Sequence, residues 1–188
     1  MAFLSIDQLK EMEFKSLGDN VQISDKASFY NCAQISIGSN IRIDDFCVLS
    51  AGEGGIEIGN YVHIAVFSSI MGAGKVTLSD FCNVSSRVSI YSSNDDYSGA
   101  FLTNPTVPCE YTNVVHGDVH FGRHVIIGSG SIILPNVTIN DGAAVGALSL
   151  VSKDCDAFVV YAGVPAKSIR NRKKNLLDIE KRFLNANN

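Results

Sequence analysis

The stretch FGRHVI-IGSGSI-ILPNVT-INDGAA-VGALSL-VSKDCD occupies residues 121–156 and divides into six consecutive units of six residues. Each unit starts with a large apolar residue. A period of six fits neither the 3.6-residue turn of an α-helix nor the two-residue alternation of a hairpin. It is typical of a short strand and a turn that repeat along a solenoid, in which neighbouring coils stack. The stretch therefore predicts an all-β solenoid.

The same six-residue unit extends toward the N-terminus, and three units form one coil. The first apolar positions of successive coils are Leu17, Ile37, Ile58, Leu78, Phe121 and Ile139, at intervals of 20, 21, 20, 43 and 18 residues. This spacing predicts a triangular parallel β-helix. The apolar residue of each unit and the residue four positions later are expected to point inward. The second set comprises Cys47, Val62, Cys82, Val125, Ser131, Val137 and Ala143.

The interval of 43 residues exceeds the others and predicts a long inserted loop over residues 91–116, with four aromatics and two prolines that favour a packed arm. Residues 1–16 are expected to form an N-terminal cap with a short helix, because Ser5 and Gln8 have capping-box spacing. The β-helix itself is predicted over residues 17–164. Helical spacing of apolar residues predicts a C-terminal helix within residues 165–188, starting near Ala166.

Composition narrows the function classes. The chain has 188 residues and a formal net charge of −4, which gives no overall attraction to nucleic acid or to an anionic membrane. No run of about 18 apolar residues occurs, so stable membrane insertion is not expected. The five cysteines include no Cys-x-x-Cys pair and suggest reduced thiols in a cytoplasmic protein.

With its units in threes, its long loop and the closing YAGVPAKSIR of residues 161–170, the sequence resembles the hexapeptide-repeat acyltransferases over residues 17–172. It looks closest to the galactoside, maltose and nodulation-type O-acetyltransferases and to sugar acetyltransferases of O-antigen and capsule gene clusters. The resemblance implies a left-handed coil, a homotrimer, and acetyl-CoA in a groove between coils. It also implies, without any metal, acetyl transfer to a hydroxyl or amino group of a carbohydrate such as a polysaccharide precursor.

The loop departs from the pattern of this family at the residue that matters for catalysis. Galactoside-type relatives have a histidine base near the start of the loop, whereas this chain has Asp95 there. The resemblance thus makes Asp95 the candidate base, and His116, where the loop rejoins the solenoid, the second catalytic candidate. An unprotonated amine needs less help from a base than an alcohol does, so the missing histidine favours an amino acceptor. A turn in which Asp95 caps backbone amides is the alternative.

Substrate contacts are expected from the start of the loop and from one column of the solenoid. These candidates are His63, Asn83, Asn94, Asp96 and Tyr97. For the acyl donor, the resemblance implies that Ser129, Ala147, Ser152 and Lys153 line the pantetheine channel. Lys167 and Arg170 follow them and are expected to bind the phosphates of coenzyme A.

Two other function classes fit the same coil. Carbonic anhydrases of the gamma type bind zinc through three histidines, and His63, His116 and His120 offer such a set. The long loop and the basic closing segment have no evident use in hydrating a small gas. A non-catalytic trimeric scaffold is the third class.

Overall fold

The computed structural model describes residues 2–186, which wind into a parallel β-helix with three sheets. The first sheet contains β1 (Ser16–Leu17), β4 (Ile35–Ile37), β7 (Ile56–Ile58), β10 (Val76–Leu78), β15 (Val119–Phe121) and β18 (Val137–Ile139). The second contains β2 (Val21–Ile23), β5 (Ile41–Ile43), β8 (His63–Ile64), β11 (Asn83–Val84), β16 (Ile126–Ile127), β19 (Ala144–Val145), β21 (Val159–Ala162) and β22 (Lys167–Asn171). The third contains β3 (Ser28–Tyr30), β6 (Val48–Ala51), β9 (Ser69–Gly72), β12 (Ser89–Tyr91), β17 (Ile132–Ile133) and β20 (Leu150–Val151).

Inward-pointing side chains stack from coil to coil and form the core, as the six-residue period predicts. All seven residues expected four positions after an apolar position are buried. Where a polar residue enters the core, a backbone carbonyl satisfies it: the Ser131 hydroxyl donates to the carbonyl of Gly146 over 3.0 Å. Burial raises the pKa of the Cys82 thiol to about 12, so this cysteine is an inert core residue.

The chain turns between sheets through residues with positive φ, and many of these residues carry rings. We call the turn column between the first and second sheets the first edge; it contains Tyr61, Phe81 and His124. The column between the second and third sheets, which we call the second edge, contains Phe46, Phe67 and Arg87. The left-handed conformation costs a non-glycine residue roughly 1 kcal/mol. Stacking of Tyr61 on Phe81, with ring centroids 4.8 Å apart, helps to offset that cost at the first edge.

The N-terminal helix α1 (Ile6–Glu11) confirms the predicted capping box. The Gln8 amide donates to the Ser5 hydroxyl over 3.2 Å, and the Ser5 amide donates to the Gln8 side chain over 2.8 Å. The helix ends at Glu11, inside the predicted cap of residues 1–16. Lys15 already belongs to the solenoid, because its amide donates to the carbonyls of Cys32 and Ile35 in the next coil.

The predicted start of the C-terminal helix is wrong. Residues 167–171 form β22, which pairs antiparallel with β21, and the helix α2 (Leu176–Ala186) starts about ten residues later than expected. The open edge of β21 offers a backbone ladder, and that pairing overrides the helical spacing of the side chains. Arg172 then donates to the carbonyls of His124 and Gly142 over 2.9 Å each, which anchors the chain before α2. Residues 1, 187 and 188 of the predicted terminal segments lie outside the described residues.

Within the described part of the chain, the helices are too short or too polar to cross a membrane.

Candidate active site

The inserted loop leaves the solenoid after β12 and returns just before β15. Its base is a short antiparallel ladder of β13 (Ser93–Asn94) and β14 (Val115–His116), in which Ser93 lies opposite His116. The Gly117 amide donates to the carbonyl of Ser92 over 3.0 Å, so both ends of the loop are tied to the same coil. This geometry fixes the first and last residues of the predicted insertion relative to the third sheet.

The tip of the loop packs less than its composition predicts. It contains a short 3-10 helix, Cys109–Tyr111, and a bridge between Leu102 and Thr112. Tyr97 is nonetheless 87% exposed and Tyr111 57% exposed. The prediction of a packed arm is therefore wrong for a single chain, because these rings contact too little of their own protein.

A cavity of about 520 Å³ lies between the start of the loop and the outer face of the third sheet. Its floor is apolar and consists of Ile132, Leu134 and Leu150, while Ser93 and Asp95 stand at its wall. The other lining residues are Tyr91, Asn94, Tyr97 and Val114. Of the candidates from the sequence, the structure thus brings Asn94, Asp95 and Tyr97 together at one cavity.

The two neighbouring aspartates of the loop have different roles. Both carboxylate oxygens of Asp96 accept a hydrogen bond from the Ser98 hydroxyl at 2.9 Å, and one also accepts from the Gly99 amide at 3.0 Å. The Ser98 hydrogen bond in particular lowers the pKa of Asp96 below its ordinary value. Asp96 thus caps the turn, which is the role that the alternative interpretation gave to Asp95. Asp95 is exposed at the cavity, so the loop of its own chain does not bury it.

His116 lies at the base of the loop, opposite Ser93. Its Nδ1 is 2.8 Å from the Ser93 hydroxyl, which in turn accepts the Ala73 amide at 2.7 Å. The imidazole is otherwise exposed. His116 thus does not line the cavity itself, but it is hydrogen-bonded to Ser93, which does.

His63 and Asn83 lie next to each other in the second sheet, and the cavity that contains Asp95 is not lined by either. His63 Nε2 is 2.9 Å from a carboxylate oxygen of Asp44, whose other oxygen accepts from Arg42 at 2.7 Å. Burial alone would raise the pKa of Asp44, but these hydrogen bonds outweigh it and lower the pKa below its ordinary value. Within one chain, His63 therefore does not line the cavity that contains Asp95.

The predicted donor-binding residues form an exposed band on the last coils. Ser129 and Ala147 stack at the second edge, where a Cβ on Gly128 would lie 2.4 Å from the Ala147 nitrogen. Ser152 and Lys153 follow β20 at the other side of the third sheet. The apolar floor of the cavity lies on the same sheet between these two groups. Lys167 and Arg170 are exposed on the edge strand β22 rather than at a helix start.

The candidate zinc histidines are distributed over separate elements: His63 is in β8, His116 in β14 and His120 in β15. His120 pairs with Thr77 in the first sheet. Among residues 2–186 there is no group of three histidine, cysteine or acidic side chains arranged to hold a metal ion.

Two features of the site were not predicted from the sequence: the apolar floor of the cavity and the contacts of Ser93 with Ala73 and His116. Ile132, Ile133 and Leu134 are three apolar residues in a row, and a strand points alternate residues outward. At least one of them had to face solvent or a ligand, which is the signal that was available. No signal for Ser93 existed, because its partners Ala73 and His116 lie about 20 residues away on either side.

Comparisons with known proteins find relatives that match nearly the whole chain. The chain is 64% identical over 183 residues, 97% of its length and 95% of the relative's, to the dTDP-4-amino-4,6-dideoxy-D-glucose acyltransferase of Escherichia coli. No protein-family profile matches the chain.

Among solved structures, AntD is an N-acyltransferase from Bacillus cereus crystallised with dTDP and 3-hydroxybutyryl-CoA. Its TM-score is 0.94 at 46% identity, covering 98% of this chain and 97% of AntD. Galactoside acetyltransferase in complex with coenzyme A has a TM-score of 0.61 at 23% identity, covering 91% of this chain and 73% of that one, and supports the fold alone. The coil is the left-handed β-helix that the resemblance implied. The chain belongs to the hexapeptide-repeat acyltransferases and is an acyl-CoA-dependent sugar acyltransferase.

Proposed function

We propose that this protein transfers an acyl group from an acyl-CoA to the amino group of a dTDP-linked 4-amino-4,6-dideoxy sugar. The observation that carries the proposal is the cavity at the loop base, where the exposed carboxylate of Asp95 stands beside an apolar floor. A carboxylate, in the place of the histidine that galactoside-type relatives use, suits an amine that must lose a proton as it attacks. The E. coli relative named for this sugar supports the same acceptor.

The substitutions made in AntD are compatible with a role for an aspartate at the start of the loop. They include variants of one serine and of an aspartate ten positions further along the chain. Around the start of the loop, two pairs in this protein have that spacing, Ser85 with Asp95 and Ser86 with Asp96. Asp96 already accepts hydrogen bonds within its turn. Asp95 is therefore the better counterpart.

In the proposed reaction, the sugar nitrogen attacks the thioester carbon and a C–N bond forms. The C–S bond then breaks, and coenzyme A leaves as a thiolate. The Asp95 carboxylate accepts the proton that the nitrogen loses, and this proton passes on to the thiolate. The products are an N-acyl sugar and the free thiol. Holding the two substrates together supplies much of the rate enhancement, because it turns an encounter of two molecules into a reaction within one complex.

The acyl donor is proposed to lie across the outer face of the third sheet. Ser129 and Ala147 border that face on one side, and Ser152 and Lys153 border it on the other. The apolar floor suits an acyl chain, and its width is compatible with acetyl or a larger group. Lys167 and Arg170 are proposed to bind phosphates of coenzyme A through charge-assisted hydrogen bonds.

A homotrimer is part of the proposal. The exposed rings Tyr97, Phe101 and Tyr111 of the loop and Phe46 and Phe67 of the second edge form apolar surface that one chain leaves uncovered. A second copy that covers them would also complete the open cavity. The expected contacts of His63, Asn83 and Asp96 with substrate stay predictions. We further propose a cytoplasmic location, consistent with five free cysteines, and a product used in a surface polysaccharide of the O-antigen kind.

The test uses purified protein with dTDP-4-amino-4,6-dideoxyglucose and either acetyl-CoA or 3-hydroxybutyryl-CoA, and follows thiol release and the mass of the sugar product. The matched control is dTDP-6-deoxyglucose, which has a hydroxyl group in place of the amine. We expect N-acylation of the amino sugar at a rate at least about 100 times that of the control, because an alcohol is the weaker nucleophile. Equal rates for the two sugars would contradict the proposal.

A further inference from the structure

The hydrogen bonds of Ser93 favour one direction for the Ser93–His116 contact. A serine hydroxyl carries one proton and can accept two hydrogen bonds. The Ala73 amide donates to the Ser93 oxygen over 2.7 Å. Within residues 2–186, the other partner of this hydroxyl is His116 Nδ1, at 2.8 Å. Among the groups of residues 2–186, Nδ1 is the acceptor within reach of the hydroxyl proton, whereas an Nδ1–H that donated to Ser93 would leave that proton to solvent.

A histidine that accepts at Nδ1 must carry its proton at Nε2 when the ring is neutral. In the described part of the chain, Nε2 of His116 has no hydrogen-bonding partner, and the side chain is exposed. The backbone ladder that pairs Ser93 with His116 holds the two side chains in register. With Nδ1 as the acceptor, the neutral ring carries its N–H group at Nε2, on an exposed side chain.

We propose that Ser93 holds His116 in its Nε2–H form, so that His116 serves as a hydrogen-bond donor to the thioester oxygen rather than as a base. This inference rests on the proposed function. It assigns separate tasks to the two catalytic candidates: Asp95, beside Ser93 at the cavity wall, accepts the proton, and His116 donates. Ser93 acts through His116 and is a positioning residue.

The assignment matches the charge that develops in acyl transfer. As the sugar nitrogen bonds to the thioester carbon, the carbonyl oxygen gains negative charge, and it loses that charge when the C–S bond breaks and the thiolate leaves. An N–H donor aimed at this oxygen stabilises the transition state and keeps its own proton throughout. The proton from the nitrogen goes to Asp95 and then to the leaving thiolate, so no second base is required.

The first test is nitrogen-15 NMR of the histidine rings in the whole protein without substrates, at a pH where His116 is neutral. The signals are assigned by comparison with His116→Gln. We expect the unprotonated nitrogen of His116 to be Nδ1 in the wild type and in Ser93→Thr, which retains the hydroxyl. Ser93→Ala should show a mixture of both forms. An unprotonated Nε2 in the wild type would overturn the proposal, whatever the enzyme acts on.

The second test compares two amide replacements in the transfer assay. The side-chain nitrogen of Gln reaches the position of Nε2, whereas that of Asn reaches only the position of Nδ1. His116→Gln should retain kcat within about tenfold, and His116→Asn and His116→Ala should lose about 100-fold, the usual effect of removing one such donor. The KM values should change little. A His116→Gln variant as inactive as His116→Ala, or a change confined to KM, would contradict the donor role. Failure of the wild type to acylate the amino sugar would instead contradict the proposed function and leave the NMR result intact.

Discussion

The two edges of the β-helix have the same local structure, but one is covered by the chain and the other is exposed. Each stacks rings on successive coils from residues with positive φ: Tyr61 on Phe81 at the first edge, and Phe46 on Phe67 at the second edge. The chain covers the first edge with its own helix α2. It leaves the second edge, which borders the sheet of the cavity, half exposed.

At the first edge, α2 contributes both apolar and ionic contacts. Phe183 packs edge-on against Tyr61, with ring centroids 5.2 Å apart. Glu180 bonds His124 Nε2 at 2.9 Å and also pairs with Arg123, whose guanidinium reaches Asp80 at 2.9 Å. This edge is therefore closed within one chain, and its rings serve stability.

At the second edge, no element of the described chain takes the place of α2. Phe46 is 48% and Phe67 50% exposed, and the Arg87 guanidinium lies 5.7 Å from the centre of the Phe67 ring. Leu148 continues the column and is 73% exposed. The repeat therefore determines where rings stack but not what covers them. The rings of the first edge stabilise the chain, and we propose that the side of the second edge serves assembly and catalysis.

The largest expected effect sharpens this division on the catalytic side. Asp95→Asn should lower kcat by about 100-fold, because the amide cannot accept the proton of the attacking amine. The melting temperature should stay unchanged, since Asp95 is exposed. Steady-state kinetics and thermal unfolding measure the two. The matched variant Asp96→Asn should weaken the turn and lower kcat less. Wild-type turnover in Asp95→Asn would remove Asp95 from the mechanism.

The next prediction compares the edges directly. Phe81→Ala should lower the free energy of unfolding by roughly 2 kcal/mol, because it removes the central ring of the covered stack. Phe67→Ala should cost less in the isolated chain but weaken the proposed trimer. Urea unfolding at several protein concentrations, together with analytical ultracentrifugation, separates these effects. Equal losses of stability that do not depend on concentration would break the comparison.

A third prediction concerns donor binding. Changing Lys167 and Arg170 together to Ala should raise the KM for the acyl-CoA roughly tenfold through the loss of charge-assisted hydrogen bonds to phosphate. The KM for the sugar should not change. The free energy of unfolding should also stay the same, because both side chains are exposed. Arg172→Ala serves as the contrast: it removes an anchor to the carbonyls of the first edge, and should lower stability instead. An unchanged donor KM in the double variant would exclude the phosphate contact.

The smallest expected effect tests the ionic part of the first edge. Burial alone would raise the pKa of Glu180, but hydrogen bonds from His124 and Arg123 outweigh it and lower the pKa below its ordinary value. A carboxyl with a lowered pKa in the folded state stabilises the protein above its unfolded pKa, near 4.3, and loses that contribution as the pH falls. Glu180→Gln should therefore cost about 1 kcal/mol at pH 7 and less in acid. Urea unfolding of both proteins across this range measures the difference, and a constant cost at every pH would contradict it.

The sequence by itself determined the solenoid, its three-unit coils, its inward-facing residues and the position of the inserted loop. The physical reason is that a period of six and the need to bury apolar side chains are local constraints that repeat along the chain. Cys82 and Ser131 could be placed in the core for this reason alone. The choice of Asp95 came instead from the resemblance to galactoside-type enzymes, which have a histidine at that place.

The folded structure shows which of the two adjacent carboxylates of the loop is engaged. Asp96 is taken up by Ser98 and Gly99, and Asp95 remains at the cavity. Only the tertiary structure decided that residues 167–171 pair with β21 although their spacing suggests a helix, and that Ser93 bridges Ala73 and His116. The turn of Asp96 is local, because Ser98 and Gly99 lie two and three positions away. The pairing of β22 and the contacts of Ser93 instead depend on partners outside their own six-residue units. Backbone edges and single donors are satisfied by whatever the fold brings near them, and that is a property of the whole chain.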